Sequence, residues 1–183
     1  MDHQPIKVNE DLELRYWQTK WAPELFSLTE KNRQYLQPWL PWVPKTKTAE
    51  DSKKFILTCK KEYKNGESLE LGIWYKNSLV GCVGLHHISK ASRNTAVGYW
   101  LSYEYYGKGI ITQSVKALLD YGFNTLKLHR IEIVAGTTNI KSCAVAERLG
   151  FKKEGIKRDV EFVDNRFIDY AIYSLLENEN FPK

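Results

Sequence analysis

The apolar positions change period several times along the chain, and each change marks an element. Leu12 and Leu14 alternate with polar residues and predict a short strand over 12–17. Over 21–36 the apolar residues Leu25, Phe26 and Leu28 recur at helical spacing, until Pro38, Pro41 and Pro44 interrupt the chain. Thr48, followed by Glu50 and Asp51, reads as the N-cap of a helix that runs to Lys64 and is closed by Asn65-Gly66. A meander follows, with strands over 70–75, 79–85 and 95–101 and a turn at Lys76-Asn77-Ser78. In Ala96-Val97-Gly98-Tyr99-Trp100-Leu101 both alternating faces are apolar, which places that strand centrally in its sheet. Ile111, Val115, Leu118, Leu119 and Leu126 mark a long helix, 131–135 a buried strand, and 142–149 a short helix ended by Gly150. The chain closes with a hairpin, 152–163 and 167–175, around Asp164-Asn165. Strands and helices interleave without linker or repeat. The expectation is one α/β (α+β) domain over 1–183, with a mixed, mostly antiparallel, twisted sheet of about seven strands and flanking helices.

Composition narrows the function classes. Hydrophobic residues at 43% and charged residues at 27% are globular proportions, not those of a disordered chain. The formal charge of +5 is spread along the chain and forms no basic block, so it reads first as a solvated surface. Cys59, Cys82 and Cys143 make no CxxC pair, and the four histidines lack zinc spacing, so reduced, packed thiols and no metal are expected. The polar start Met1-Asp2-His3-Gln4-Pro5 leads into no apolar signal region, and no apolar run reaches the roughly 18 residues of a membrane span. A cytoplasmic protein without membrane contact is the expectation.

The segment Glu104-Tyr105-Tyr106-Gly107-Lys108-Gly109-Ile110-Ile111-Thr112 joins the central strand to the start of the long helix. Free N–H groups and the positive end of the helix dipole make such a place an anion site, and glycines let backbone approach a pyrophosphate. An ordinary turn that needs glycine for its conformation explains the same residues equally well. A Walker loop fails because Lys108 is followed by Gly109. A dinucleotide fingerprint fails because Thr112 stands where its third glycine belongs and the preceding strands form an antiparallel meander.

A second motif follows the next strand. Asn139 reads as a helix cap, Ser142 falls in the first turn, and Leu149-Gly150-Phe151 ends the helix. Cys143, with no histidine near it in sequence, reads as a small packed residue. The pair of elements, Gly107-Lys108-Gly109 at a helix start and Asn139-x-x-Ser142 leading into Leu149-Gly150-Phe151, resembles the Gcn5-related N-acetyltransferases (GNAT). Val97-Gly98-Tyr99-Trp100-Leu101, the Pro38-Trp39-Leu40-Pro41-Trp42 run and the closing hairpin from Glu154-Gly155 to Tyr173 are similar to the RimJ/RimL branch and its YdaF-type members. Nearly the whole chain takes part, in the same order. Where the family often has Gln or Arg three residues before the first loop glycine, this chain has Glu104.

The resemblance implies a GNAT-like fold and direct attack of an acceptor amine on the thioester of acetyl-CoA, with no acyl-enzyme and no metal. It implies that the backbone of Trp100, Leu101 and Ser102 pairs with the pantetheine amides and that an N–H near Leu101 polarises the thioester carbonyl. It assigns the pyrophosphate to the amides of Gly107, Lys108, Gly109, Ile110, Ile111 and Thr112, and the pantetheine arm to Asn139. Ser142 would serve the departing thiolate and Glu161 would be the base, with Asp159 and Asp169 as weaker substitutes. Trp39 and Trp42 would wall the acceptor groove. The implied acceptor is the N-terminal amine of a ribosomal protein. Competing readings are an acetyltransferase of a small amine (polyamine, aminoglycoside or amino-acid-like toxin) and a non-catalytic acyl-CoA-binding module. No RNA-binding signature accompanies the positive charge, so no direct nucleic-acid binding is expected. A homo-oligomer stays open.

Overall fold

Directly after Pro5 the chain begins to pair: Ile6–Lys7 (β1) lies antiparallel to Leu12–Tyr16 (β2). A computed structural model of the protein describes residues 4–179, so Met1, Asp2 and His3 of the polar start lie outside the described residues. Two helices follow, Ala22–Lys31 (α1) and Arg33–Leu36 (α2), then Ala49–Asn65 (α3). The meander is Leu69–Tyr75 (β3), Ser78–Ser89 (β4) and Asn94–Leu101 (β5). Ile110–Asn124 (α4), Arg130–Gly136 (β6) and Ile140–Arg148 (α5) lead to the hairpin Lys152–Val163 (β7) and Arg166–Leu176 (β8). The fold is α+β, with these eight strands in one sheet of order β1-β2-β3-β4-β5-β6-β8-β7. Every neighbouring pair is antiparallel except β5 and β6.

Three sequence expectations change. The sheet has eight strands because the two residues of β1 pair too briefly to leave an alternating pattern. The helix over 21–36 breaks at Asn32, whose side chain donates to Leu28 O at 2.8 Å and accepts from Tyr103 N–H at 2.9 Å, tying the break to the end of β5. Leu126 lies beyond the end of α4 and is exposed; the buried stripe of that helix is Ile110, Ser114, Val115, Leu118, Leu119, Gly122 and Phe123. The cap at Thr48 is a full capping box with Asp51.

The two faces of the sheet carry separate cores. On the first, Leu71, Val83, Leu85, Val97, Leu101, Ile131, Ile133 and Tyr173 pack with α4 and α5. On the second, Trp74, Cys82 and Leu79 pack with Trp17, Leu25, Ile56 and Cys59 of the N-terminal helices and their approach. No helix among the described residues is long and apolar enough to cross a membrane.

The parallel pair decides what the fold can do. β5 and β6 are in register from Asn94↔Arg130 to Val97↔Ile133 and then part. Beyond that point β5 stays paired with β4 as far as Leu101, and β6 with β8 as far as Gly136. The sheet is therefore open between the two C-terminal ends. Ser102 N–H donates to Val80 O at 2.8 Å, and the alternation of an antiparallel ladder then turns the peptide groups of Tyr99 and Leu101 away from β4, into the opening. β4 crowds this segment closely. A Cβ on Gly81 would sit 2.3 Å from the backbone oxygen of Trp100, so only glycine fits there.

Because that obstacle is backbone, Gly81→Ala cannot be relieved by a rotamer change. The expected cost is about 1–3 kcal/mol, the range for overpacking, read from urea denaturation.

Candidate active site

Three segments converge on the opening, and each is placed by an element that ends there. The first is the glycine loop. Gly107 (φ 76°) and Gly109 (φ 69°) both have left-handed backbone, and Gly109 is the N-cap of α4. A Cβ at Gly107 would meet nothing within 4 Å, so the loop is open on that side. The first N–H groups of α4, next in the chain, have no acceptors within the helix. Ile110 is buried in the core, so it offers only its backbone to a ligand; Ile111 is half-buried. Lys108 lies over the ring of Tyr105 at 4.9 Å, and Glu104 pairs with Lys31 at 2.8 Å on the surface.

The second segment is the start of α5. Asn139 caps the helix by accepting from Ser142 N–H at 3.2 Å. The Tyr99 hydroxyl donates to Ser142 O at 3.1 Å and lies equally close to Ser142 Oγ. One tyrosine on the β5 arm thus holds the serine of the β6 arm across the opening. Burial is the main cause that pushes the Tyr99 pKa up to about 12, so the phenol keeps its proton at neutral pH. Cys143 is buried, with its thiol 3.6 Å from Gly136 O, a packed residue as expected.

The third segment is the proline–tryptophan run after α2, on the second face of the sheet. Trp42 packs at a tilt against Trp100 of β5, with ring centroids 6.0 Å apart. Trp39 lies where a Cβ on Gly136, the last residue of β6, would come within 3.2 Å of its ring. The run therefore spans the mouth from one arm to the other. It is also tied to the β7–β8 turn, where Gln37 donates to Asp164 at 3.1 Å and Arg166 stacks on Trp39 at 5.6 Å. On that face Glu161 of β7 accepts from the Tyr170 hydroxyl, and burial first, then this carboxylate, raises the Tyr170 pKa. Asp169 accepts instead from Asp159 N–H at 2.9 Å, fixing a turn in β7 at a residue with φ 48°.

The opening thus gathers the peptide groups of Leu101, the glycine loop, Asn139, Ser142, Trp39 and Trp42. It turns the Ser102 N–H inward to β4, and it sets Asp159 and Asp169 to a backbone task. Three residues escaped the sequence reading. Tyr99 was legible from parity, since it falls on the same face as Val97 and Leu101. Tyr170 needed the register of β8. Arg148 donates to Thr112 Oγ1 at 2.9 Å and so brings a cation to the start of α4 from the far end of α5; no spacing in sequence signals that.

Residues 11–152 match the model of the acetyltransferase (GNAT) domain. The chain belongs to the GNAT acetyltransferase family. It is 37% identical over 174 residues to YdaF of Bacillus subtilis (strain 168), covering 94% of this chain and 95% of that protein. It is 30% identical to the ribosomal-protein-serine acetyltransferase of Escherichia coli (strain K12), over 92% of this chain and 94% of that protein. Among solved structures, RimL, a ribosomal L7/L12 α-N-protein acetyltransferase in complex with coenzyme A, superposes with a TM-score of 0.92 at 27% identity, covering 94% of this chain and 98% of that one. The microcin C7 self-immunity acetyltransferase MccE in complex with acetyl-CoA and AMP gives 0.89 at 32% identity, over 93% and 94%. An acetyltransferase of this family is what the opened sheet serves. Two observations fit its acyl-CoA substrate: free peptide groups on the Leu101 arm, and a glycine-lined helix start with room for phosphate.

Gly109→Asp tests the second of these. Aspartate tolerates left-handed backbone better than most residues but is still strained at φ 69°, so the melting temperature is expected to fall only slightly. Its charge would face the pyrophosphate, and acetyl-CoA affinity by calorimetry is expected to fall about tenfold or more.

Proposed function

We propose that this single-domain protein is a cytoplasmic, acetyl-CoA-dependent acetyltransferase of the N-terminal α-amine of a ribosomal protein. The observation that carries the reading is Ser142, held by Tyr99 across the opening between β5 and β6, with Glu161 on the opposite face of the sheet. The names of the relatives in E. coli and of RimL support the acceptor class.

Acetyl-CoA supplies the activated acetyl thioester. The Leu101 arm pairs with the pantetheine as an added strand would, and an N–H there stabilises charge on the thioester oxygen. The amides from Gly107 to Thr112 hold the pyrophosphate, with Lys108 and Arg148 adding charge, and Asn139 borders the pantetheine arm. Glu161 accepts the proton of the arriving ammonium, directly or through one water. The amine then attacks the thioester, the C–N bond forms, the C–S bond breaks, and Ser142 Oγ, held 3.1 Å from the Tyr99 hydroxyl, donates toward the departing sulfur. Trp39 and Trp42 wall the acceptor groove. An α-amine, with a pKa of roughly 7.7–8.0, suits one carboxylate base. A lysine near 10.4 costs about 2.5 more units, roughly 3.4 kcal/mol, to deprotonate.

A small-amine acceptor is the second reading, favoured by the likeness to MccE, which was solved with AMP beside acetyl-CoA. Intact-mass measurement and peptide mapping of ribosomal proteins treated with enzyme and acetyl-CoA separate the two. Label at N-termini is the expected result. Label only on lysines, or only on free small amines, overturns the N-terminal reading.

Ser142→Ala is expected to lower turnover by about 10²-fold with acetyl-CoA affinity unchanged, because a thiol with a pKa near 8.5 leaves fairly well unaided. Glu161→Gln is expected to lower kcat/KM for a peptide N-terminus by about 10²-fold or more. That deficit should be greatest below the amine's own pKa, and a pH series of initial rates reads it.

A further inference from the structure

On the second face of the sheet, beside the point where β5 and β6 part, a carboxylate and an imidazole share a trough without side chains. Glu70 of β3 is buried, with 7% of its side chain exposed, and its Oε1 lies 2.7 Å from Nδ1 of His86 on β4. Its other oxygen accepts from the Cys82 thiol at 3.6 Å. The register Glu70↔Gly84↔Gly98 lays two glycines in a row beneath the pair. A Cβ on Gly84 would fall 2.3 Å from the Glu70 carboxyl, and one on Gly98 would fall 2.3 Å from His86 Nε2. The Nε2 edge of the imidazole therefore lies over Gly98, the first residue of β5 beyond its last partner on β6, with 40% of its side chain open.

That position is set against the reacting centre. Tyr99, which holds Ser142, is the residue after Gly98 and points to the first face, so His86 and the Tyr99–Ser142 pair flank the root of the opening from opposite sides. Glu161 stands elsewhere. It pairs with Ile168, whereas His86 lies in the row Ala96, Glu132, Ser174.

We propose that His86 is a second acid–base group on the acceptor side, taking from the amine nitrogen the proton released as the amide forms, and that Glu70 is its positioning residue. The inference rests on the acetyl-transfer reading and adds a residue to it. An ammonium must lose two protons to become an amide. Glu161 takes the first as the amine arrives. As the C–N bond forms and the C–S bond breaks, the nitrogen carries one proton too many, and it passes to His86 Nε2; the sulfur leaves as a thiolate hydrogen-bonded by Ser142 Oγ. Nδ1 faces the Glu70 carboxylate at 2.7 Å, which leaves Nε2, over Gly98 at the root of the opening, as the nitrogen for the acceptor. Burial pulls the His86 pKa down, but Glu70, with a smaller contribution from Glu62, outweighs it and leaves the imidazole a stronger base than usual.

The test is steady-state kinetics of His86→Ala with acetyl-CoA and an N-terminal peptide, with and without added imidazole. A fall in kcat/KM of about 10²-fold, unchanged acetyl-CoA affinity by calorimetry and partial recovery with imidazole are expected. A folded variant within twofold of wild type, or a loss that imidazole leaves untouched, overturns the role of His86. Should that variant not fold, Glu70→Gln/His86→Gln removes the charge pair at similar volume, and undiminished kcat/KM in it overturns the proposal equally. Wild-type protein that binds acetyl-CoA and releases no thiol with any amine overturns the acetyl-transfer reading and this inference together.

Discussion

Four residue pairs of parallel strand, Asn94–Val97 against Arg130–Ile133, are what the rest of the molecule depends on. Were they longer, β5 and β6 would zip together and the Leu101 peptide groups would be spent on a neighbouring strand. Were they absent, the meander and the C-terminal hairpin would share no sheet. The two halves are instead joined at one end and parted at the other, each arm kept rigid by its outer partner: β4 on one side, β8 on the other. An edge of unsatisfied backbone is ordinarily a hazard. Here it lies inside the sheet, reachable by a slender ligand and not by another strand.

The groups around the opening divide by face. Side chains that follow the parity of Val97 and Leu101 join α4 and α5, and these bring Tyr99, Ser142, Asn139 and the glycine loop to one side. Those of opposite parity look toward the N-terminal helices, and these bring Trp100, Trp42, Trp39, Glu161 and His86 to the other. The sheet is thus a partition. The two differently furnished sides of the opening follow from a period of two along a single strand.

Much of this was legible in the sequence. The order of elements, the centrality of β5, the glycine loop and the caps at Thr48 and Asn139 follow from local patterns that the structure keeps. The missing eighth strand is two residues long, too short for any period to register. The break at Asn32 was invisible because its cause, the Tyr103 N–H, lies 71 residues away. For the same reason the sequence named Ser142 and Glu161 by likeness while missing Tyr99, Tyr170 and Arg148, whose parts are set by neighbours across the opening or the sheet. Glu70 and His86 drew no notice at all, since a glutamate and a histidine in adjoining strands become a pair only once the register is known.

The glycine trough has a consequence for how this sequence can drift. Glu70, Gly84, His86 and Gly98 occupy one space, and the fit is mutual: a side chain at Gly84 evicts the Glu70 carboxyl, one at Gly98 evicts the His86 ring, and a smaller residue at 86 leaves the buried carboxyl without its partner. No one of the four can be exchanged freely while the others stay. Among relatives that keep this sheet, the four positions are therefore constrained to vary as a set, so that a glycine lost in β5 should be read together with the histidine of β4.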